Sequence, residues 1–347
     1  MDLHVHRHVK SDGRELLLYG RSPIEVSPAP EKELERGKPP HLRWHPLRRE
    51  WVVYAAARQG RTFLPQADEC PLCPARDGAS GEVPFADFEI AVFENRFPAF
   101  LGVASPLGPA PVGEEVKASG RCEVIIYSSD HAASLGTLSD ERLGLLIDVW
   151  GERVKALREM GYPSIMPFEN RGEEIGVTLH HPHGQIYAFP FVPIQLLRAA
   201  EAQAATSVVA TVMAELDPAL KLHEEDAAMS FVPPFAMYPF EIWLAPMRRV
   251  ATPDLLDAGE RRALARALGD AVRRLDALFE SPMPYIMVVQ TAPAGFEDTF
   301  HMTIEIRPFR RDKGKLKYLA GVEQGSGVFL VDVSPEEAAQ RLRDVLP

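Results

Sequence analysis

The segment His180-His181-Pro182-His183-Gly184-Gln185 carries more chemistry per residue than any other stretch of this chain. Three imidazoles in four positions, beside a glycine and a proline, exceed what a packed core requires. On an extended strand alternate side chains share a face, which groups His181, His183 and Gln185 and turns His180 and Pro182 the other way. A neutral imidazole is a good nucleophile toward phosphorus once its second nitrogen is held as an N–H donor. Gln185 adds an amide that can donate to a phosphoryl oxygen without adding charge. Gly184 lets a ligand approach the backbone closely. Pro182 cannot donate to a ladder, so it predicts an irregular or edge-like strand. The plain alternative is a core strand of hydrogen-bonded histidines.

Cys70-Pro71-Leu72-Cys73 is the second group with chemical potential. Three cysteines in 347 residues are no disulfide framework, so the pair reads as metal-binding or redox-active. Two further ligands would complete a tetrahedral zinc site. Arg58 and Arg61 lie three residues apart, and guanidinium forks suit a pyrophosphate. Their spacing alone equally describes two solvated charges. His4, His6 and His8 could line one strand face, yet nothing nearby completes a metal site. Cys122, His223 and His301 read as structural or exposed.

These groups need elements to hold them. Trp51 to Tyr54, Glu89 to Phe93 and Cys122 to Tyr127 are β-branched and aromatic and predict strands. Leu143, Leu146, Trp150, Val154 and Leu157 recur at helical spacing, predicting a helix over about 139–160 that Gly161 and Pro163 stop. Ser164 to Phe168 begins an extended segment, Gly172 turns it, and Ile175 to Phe189 reads as the returning strand. The second half echoes this plan. Glu241 to Leu244 reads as a strand, Leu264 to Leu278 as a helix, and Pro284-Tyr285-Ile286-Met287 repeats Pro163-Ser164-Ile165-Met166. Phe300 to Arg307 stands where the histidine-rich strand stood. The fold class expected is α+β, with two tandem halves, 1–195 and 196–347, each an antiparallel sheet with packed helices. The Pro-rich first forty residues read as an extended arm.

A net charge of −11 argues against a nucleic-acid or membrane-surface partner, both of which favour a basic field. It leaves open a phosphate ligand held by a few arginines. No apolar stretch approaches the roughly 20 residues needed to span a bilayer. The N-terminus has neither a basic n-region nor an apolar h-region, so a cytoplasmic protein is expected.

His181-Pro182-His183-Gly184-Gln185-Ile186 resembles the active-site signature of galactose-1-phosphate uridylyltransferases, a branch of the histidine-triad superfamily. Other landmarks fall in that family's order: Trp51 to Arg61, the cysteine pair, Phe93-Glu94-Asn95, Ser129-Asp130-His131, Phe168-Glu169-Asn170 and Pro239-Phe240-Glu241. The resemblance implies that His183 attacks the α-phosphorus of UDP-glucose and forms a uridylyl-histidine. Galactose 1-phosphate then takes up the uridylyl group. Resemblance also supplies His131 and His181 as zinc ligands beside Cys70 and Cys73, in one structural site. It places Arg58, Arg61, Asn95, Phe97, Asn170, Thr178 and Gln185 around the nucleotide, and Lys317 and Glu323 at the sugar. Where many members carry a second metal this chain has Ala199, Gln290, Glu305 and Arg307, so no second metal is expected. A homodimer is implied too.

Three other readings stand beside this one. A nucleoside-diphosphate-sugar phosphorylase, such as an ADP-glucose phosphorylase, would use phosphate as acceptor. A nucleotide-binding protein without turnover would have no use for the His183-Gly184-Gln185 segment. A histidine-triad hydrolase would carry a histidine where Gln185 stands.

Overall fold

The computed structural model describes residues 3–31, 37–60, 63–76, 81–105, 107–108 and 110–345. The strands of the first half are β1 (His4–Val9), β2 (Glu15–Gly20), β3 (His41–His45), β4 (Glu50–Tyr54), β5 (Ile90–Glu94), β6 (Val116–Lys117), β7 (Arg121–Ile126), β8 (Ser164–Arg171) and β9 (His183–Phe189). Those of the second are β10 (Lys221–Glu225), β11 (Ala228–Phe231), β12 (Ile242–Pro246), β13 (Tyr285–Gln290), β14 (Thr303–Pro308), β15 (Arg310–Asp312) and β16 (Lys315–Leu316). The helices are α1 (Asp140–Glu159), α2 (Ile194–Thr206), α3 (Val208–Glu215), α4 (Ala258–Ala277), α5 (Gly321–Ser326) and α6 (Pro335–Asp344).

Eleven strands form one sheet in the order β1-β2-β5-β7-β9-β8-β13-β14-β12-β11-β10, and its pairings are antiparallel. Reading outward from the central β8–β13 pair, β9, β7 and β5 on one side answer β14, β12 and β11 on the other. α1 joins β7 to β8, and α4 joins β12 to β13. The expected α+β repeat is therefore present, with one refinement. The two halves share a single sheet, closed by rungs from Tyr285↔Arg171 to Val288↔Phe168.

Alternation sorts the side chains of each strand between two layers. Ile125 and Tyr127 of the β7 segment pack beneath α1 and α4 in the main core. Val124 and Ile126 point oppositely, into a cluster with Cys70, Leu72, Phe85 and Phe93. Cys122 and Tyr187 join a third cluster under the small sheet β4-β3-β6. The face carrying His183 and Gln185 is thus flanked by two apolar patches.

Two expectations need correction. Residues 4–20 are no loose arm: β1 and β2 form a hairpin at one sheet edge, and β2 is buried from Leu16 to Gly20. The continuous run Leu16-Leu17-Leu18-Tyr19 carries no polar face, the signature of a strand covered on both sides. The histidine strand begins only at His183, and it lies between β7 and β8 rather than at an edge. Pro182 stands just before the ladder, where its missing N–H is not needed, and its carbonyl accepts the Tyr127 N–H at 3.3 Å.

α1 starts at Ser139, whose hydroxyl accepts from Arg142 N–H. It buries Leu143, Leu146, Trp150, Val154 and Leu157 against the sheet and α4. Arg153 reaches through the core to Glu123 on β7 at 2.7 and 2.9 Å, and Arg121 meets the same carboxylate at 2.6 Å. Burial alone would raise the Glu123 carboxyl, but the two arginines outweigh it and hold it below the usual range.

A Cβ on Gly151, in the middle of α1, would stand 2.8–3.0 Å from backbone atoms of Pro253 and Asp254. Gly151→Ala should therefore destabilise the fold by about 1–3 kcal/mol, where helix propensity alone would give a gain of about 1 kcal/mol. A lowered urea midpoint at unchanged slope is the expected reading; a raised midpoint would refute it.

Candidate active site and metal centre

At the start of β9, His183 directs Nδ1 at the carbonyl oxygen of His181, 2.7 Å away. A carbonyl can only accept, so Nδ1 carries the proton and Nε2 keeps its lone pair. Burial pushes the His183 pKa down, only partly countered by the carbonyl, which keeps the ring neutral near pH 7. His181 itself lies two residues earlier and is buried. Its Nε2–H donates to Ser128 O at 2.8 Å, leaving Nδ1 to face the cysteines. The two rings therefore serve different sites, and the expectation that they share a strand face does not hold. The chain is irregular from Val177 to Pro182, so period-two alternation does not apply there.

Cys73 Sγ lies 3.4 Å from His131 Nδ1 and 3.5 Å from His181 Nδ1. With Cys70 these atoms all fall within 4.8 Å of one another. A tetrahedral ion with metal–sulfur and metal–nitrogen bonds of about 2.3 and 2.05 Å separates S from N by about 3.5–3.6 Å. The four residues thus fit a four-coordinate metal ion, and both thiols are free. Burial and the Cys70 thiol push the Cys73 thiol up to about 11, and burial brings His181 down to about 4. A cation would be needed to draw the thiolates out.

Around β9 the other candidates sort into two groups. His183, Gln185 and Tyr187 project to one side of the strand. Tyr187 Oη accepts from Arg58 Nη1 at 3.0 Å, so Arg58 is brought to the histidine face. Arg58 also approaches Phe97 O at 3.5 Å, and Phe97 N–H donates to Asn95 Oδ1 at 2.8 Å. Thr178 O accepts from Leu64 N–H at 2.8 Å, tying the arginine segment to the loop before β9. On β8, Phe168 stands across from Gln185. Asn170 lies two residues further along β8, beyond the last rung of this ladder. Arg61 lies outside the described residues.

Lys317 and Glu323 are brought to each other rather than to β9. Their charged atoms meet at 2.5 Å, Lys317 also donates to Leu330 O, and Glu323 accepts from Ala320 N–H. Ala199, Gln290 and Glu305 line one cavity of about 210 Å3 with Trp243 and Phe300. Arg307 holds the Glu305 carboxylate at 2.5 Å.

Residues 30–193 match the galactose-1-phosphate uridyl transferase N-terminal domain. A galactose-1-phosphate uridylyltransferase of Streptomyces lividans is 36% identical, with 96% of each chain covered. The chain belongs to this uridylyltransferase family. One of Thermotoga maritima is 34% identical over 87% of this chain and 98% of its own. A solved uridylyltransferase structure superposes with a TM-score of 0.76 at 28% identity, covering 88% of this chain and 98% of that one.

Within this member of the uridylyltransferase family, two contributors escape a reading of the histidine motif alone. Tyr187 is one, although its place four residues after His183 on a period-two face signals it. The Ser128 carbonyl is the other, and no residue type could have marked it. Cys73→Ser should weaken metal binding by more than the ~10–100-fold typical of losing an outer partner. Titration of the protein against a chromogenic chelator reads this directly. A chain that binds no metal, or in which Cys70 and Cys73 cycle through a disulfide, would overturn the metal assignment.

Proposed function

We propose that this chain is a UDP-glucose–hexose-1-phosphate uridylyltransferase working by double displacement. His183 Nε2 attacks the α-phosphorus of UDP-glucose, forming a P–N bond as glucose 1-phosphate leaves with the electron pair. A phosphate oxygen of galactose 1-phosphate then attacks the same phosphorus and expels His183, giving UDP-galactose. Neither step requires a general base, because the acceptor is already an anion. The observation that carries this reading is the pairing of His183 Nδ1–H with the His181 carbonyl, which commits Nε2 to the nucleophile's role.

In this reading Gln185 donates to the phosphoryl oxygen. Arg58 and Arg61 neutralise the pyrophosphate, Asn95, Phe97, Asn170 and Thr178 position the nucleotide, and Lys317 and Glu323 meet the hexose. The last pair would have to exchange their mutual contact for the sugar, or act from a second subunit in a homodimer. Zinc is the ion proposed for Cys70, Cys73, His131 and His181. It would be closed to substrate, supplying no Lewis acidity and holding the β9 entry. The chain would divide functionally near residue 195 and act in the cytoplasm. Membership of the family and the placement of Arg58 at the histidine face support the reading.

Intact-mass spectrometry, kept away from acid, should show a uridylyl adduct after mixing with UDP-glucose that disappears on adding galactose 1-phosphate. His183→Ala should form none and lose at least about 10⁴-fold in turnover. An adduct from ADP-glucose discharged by inorganic phosphate, with none from UDP-glucose, would favour the phosphorylase. No adduct from either would leave a nucleotide-binding protein.

A further inference from the structure

Behind the histidine strand lies a buried carboxyl that the exchange reaction does not use. Glu169, on β8, is 5% exposed and turns into the core between the sheet and the helices. Arg171, two residues on, gives both terminal nitrogens to Asp276 of α4, at 2.8 and 3.0 Å. Among the described residues Glu169 therefore has no salt bridge. Its one hydrogen bond of good geometry comes from Tyr285 Oη at 3.3 Å. A buried carboxyl without a cation is costly, and a neutral side chain of similar shape would serve the core better.

Its position gives the reason for keeping it. The β8–β9 ladder runs from Ser164↔Phe189 to Phe168↔Gln185, so Glu169 and Gly184 are the residues next to its last rung. Between them sits the hydroxyl of Tyr127. A Cβ on Gly184 would fall 2.2 Å from Tyr127 Oη and 2.8 Å from Phe168 O. The hydroxyl thus presses on the bare Cα of the residue next to His183, from the side opposite the imidazole. It lies within reach of the Glu169 carboxylate, which helps push the tyrosine pKa up, while their contact falls outside good hydrogen-bond geometry.

We propose that Glu169, acting through the Tyr127 hydroxyl and Gly184, is a positioning residue for nucleotidylyl transfer at His183. This rests on the reaction proposed above. When ionised, Glu169 accepts the Tyr127 O–H and draws the hydroxyl toward β8. When protonated it releases that pull, and the support under Gly184 changes. Burial raises the Glu169 pKa to about 7, with Arg171 and the Tyr285 and Tyr127 hydroxyls pulling it back only in part. The groups facing this carboxyl are Tyr127 just after β7, Tyr285 from β13, Arg171 from β8 and Asp276 from α4. A shift of a fraction of an ångström in a nucleophile is enough to alter a transfer rate severalfold, and a full ångström about a hundredfold.

The test compares metal-loaded wild type with Glu169→Gln and Tyr127→Phe by steady-state kinetics from pH 6 to 8.5. Wild type should show a limb in kcat centred near pH 7. Both variants should lose that limb and about tenfold or more in kcat, with KM for UDP-glucose and bound metal unchanged. If Glu169→Gln fails to fold, Tyr127→Phe alone decides, since it removes only the hydroxyl against Gly184. Wild-type kcat and pH profile in a folded variant would overturn the positioning role while leaving the proposed reaction intact. No nucleotidyl adduct on wild type would overturn both.

Discussion

The hydrogen bond from His183 Nδ1 to the carbonyl of His181 is the contact on which the site depends, because it joins two functions through one short stretch of backbone. The side chain of His181 belongs to the cysteine cluster, and its main chain sets the tautomer of His183. Whatever holds the His181 ring in place therefore also holds the lone pair of the neighbouring histidine. A neutral histidine ring can carry its proton on either nitrogen, and a fixed acceptor selects which one. A carbonyl is well suited to that task, since it cannot donate in return.

The remaining architecture stiffens this contact from several directions. Tyr127 N–H binds Pro182 O, Ser128 O binds the His181 ring, and both acceptor and donor come from the end of β7. β7 is itself locked to α1 by the buried Glu123–Arg153 pair. Packing beneath the sheet is continuous across both halves, so α1 and α4 brace β9 and β14 as parts of one layer. On the opposite face the cysteine segment and the small three-stranded sheet leave His183 and Gln185 between two apolar clusters.

The far half of the sheet holds the positions at which no second metal is expected. Ala199, Gln290 and Glu305 come together there, and Arg307 takes the carboxylate as an ion pair. The guanidinium in that place satisfies the Glu305 carboxylate by charge.

Much of this was legible in the residues themselves. Helical spacing in α1 and α4, alternation in the strands and the two-fold echo of Pro-x-Ile-Met are local patterns, and local patterns survive into structure when burial agrees with them. The histidine and cysteine motifs declared their chemistry by residue type, and resemblance to a family joined them. Sequence could not decide the start of β9, the strands that flank β2 or the different faces to which the His181 and His183 rings turn. Each of these depends on which segments lie across from one another, and strand pairing between distant segments is settled by collective packing rather than by any residue's own preference. The partners of Arg58 and Glu169 were hidden for the same reason. A side chain's type states what it can bind, and only the tertiary structure brings a particular tyrosine, carbonyl or carboxylate within hydrogen-bonding reach of it.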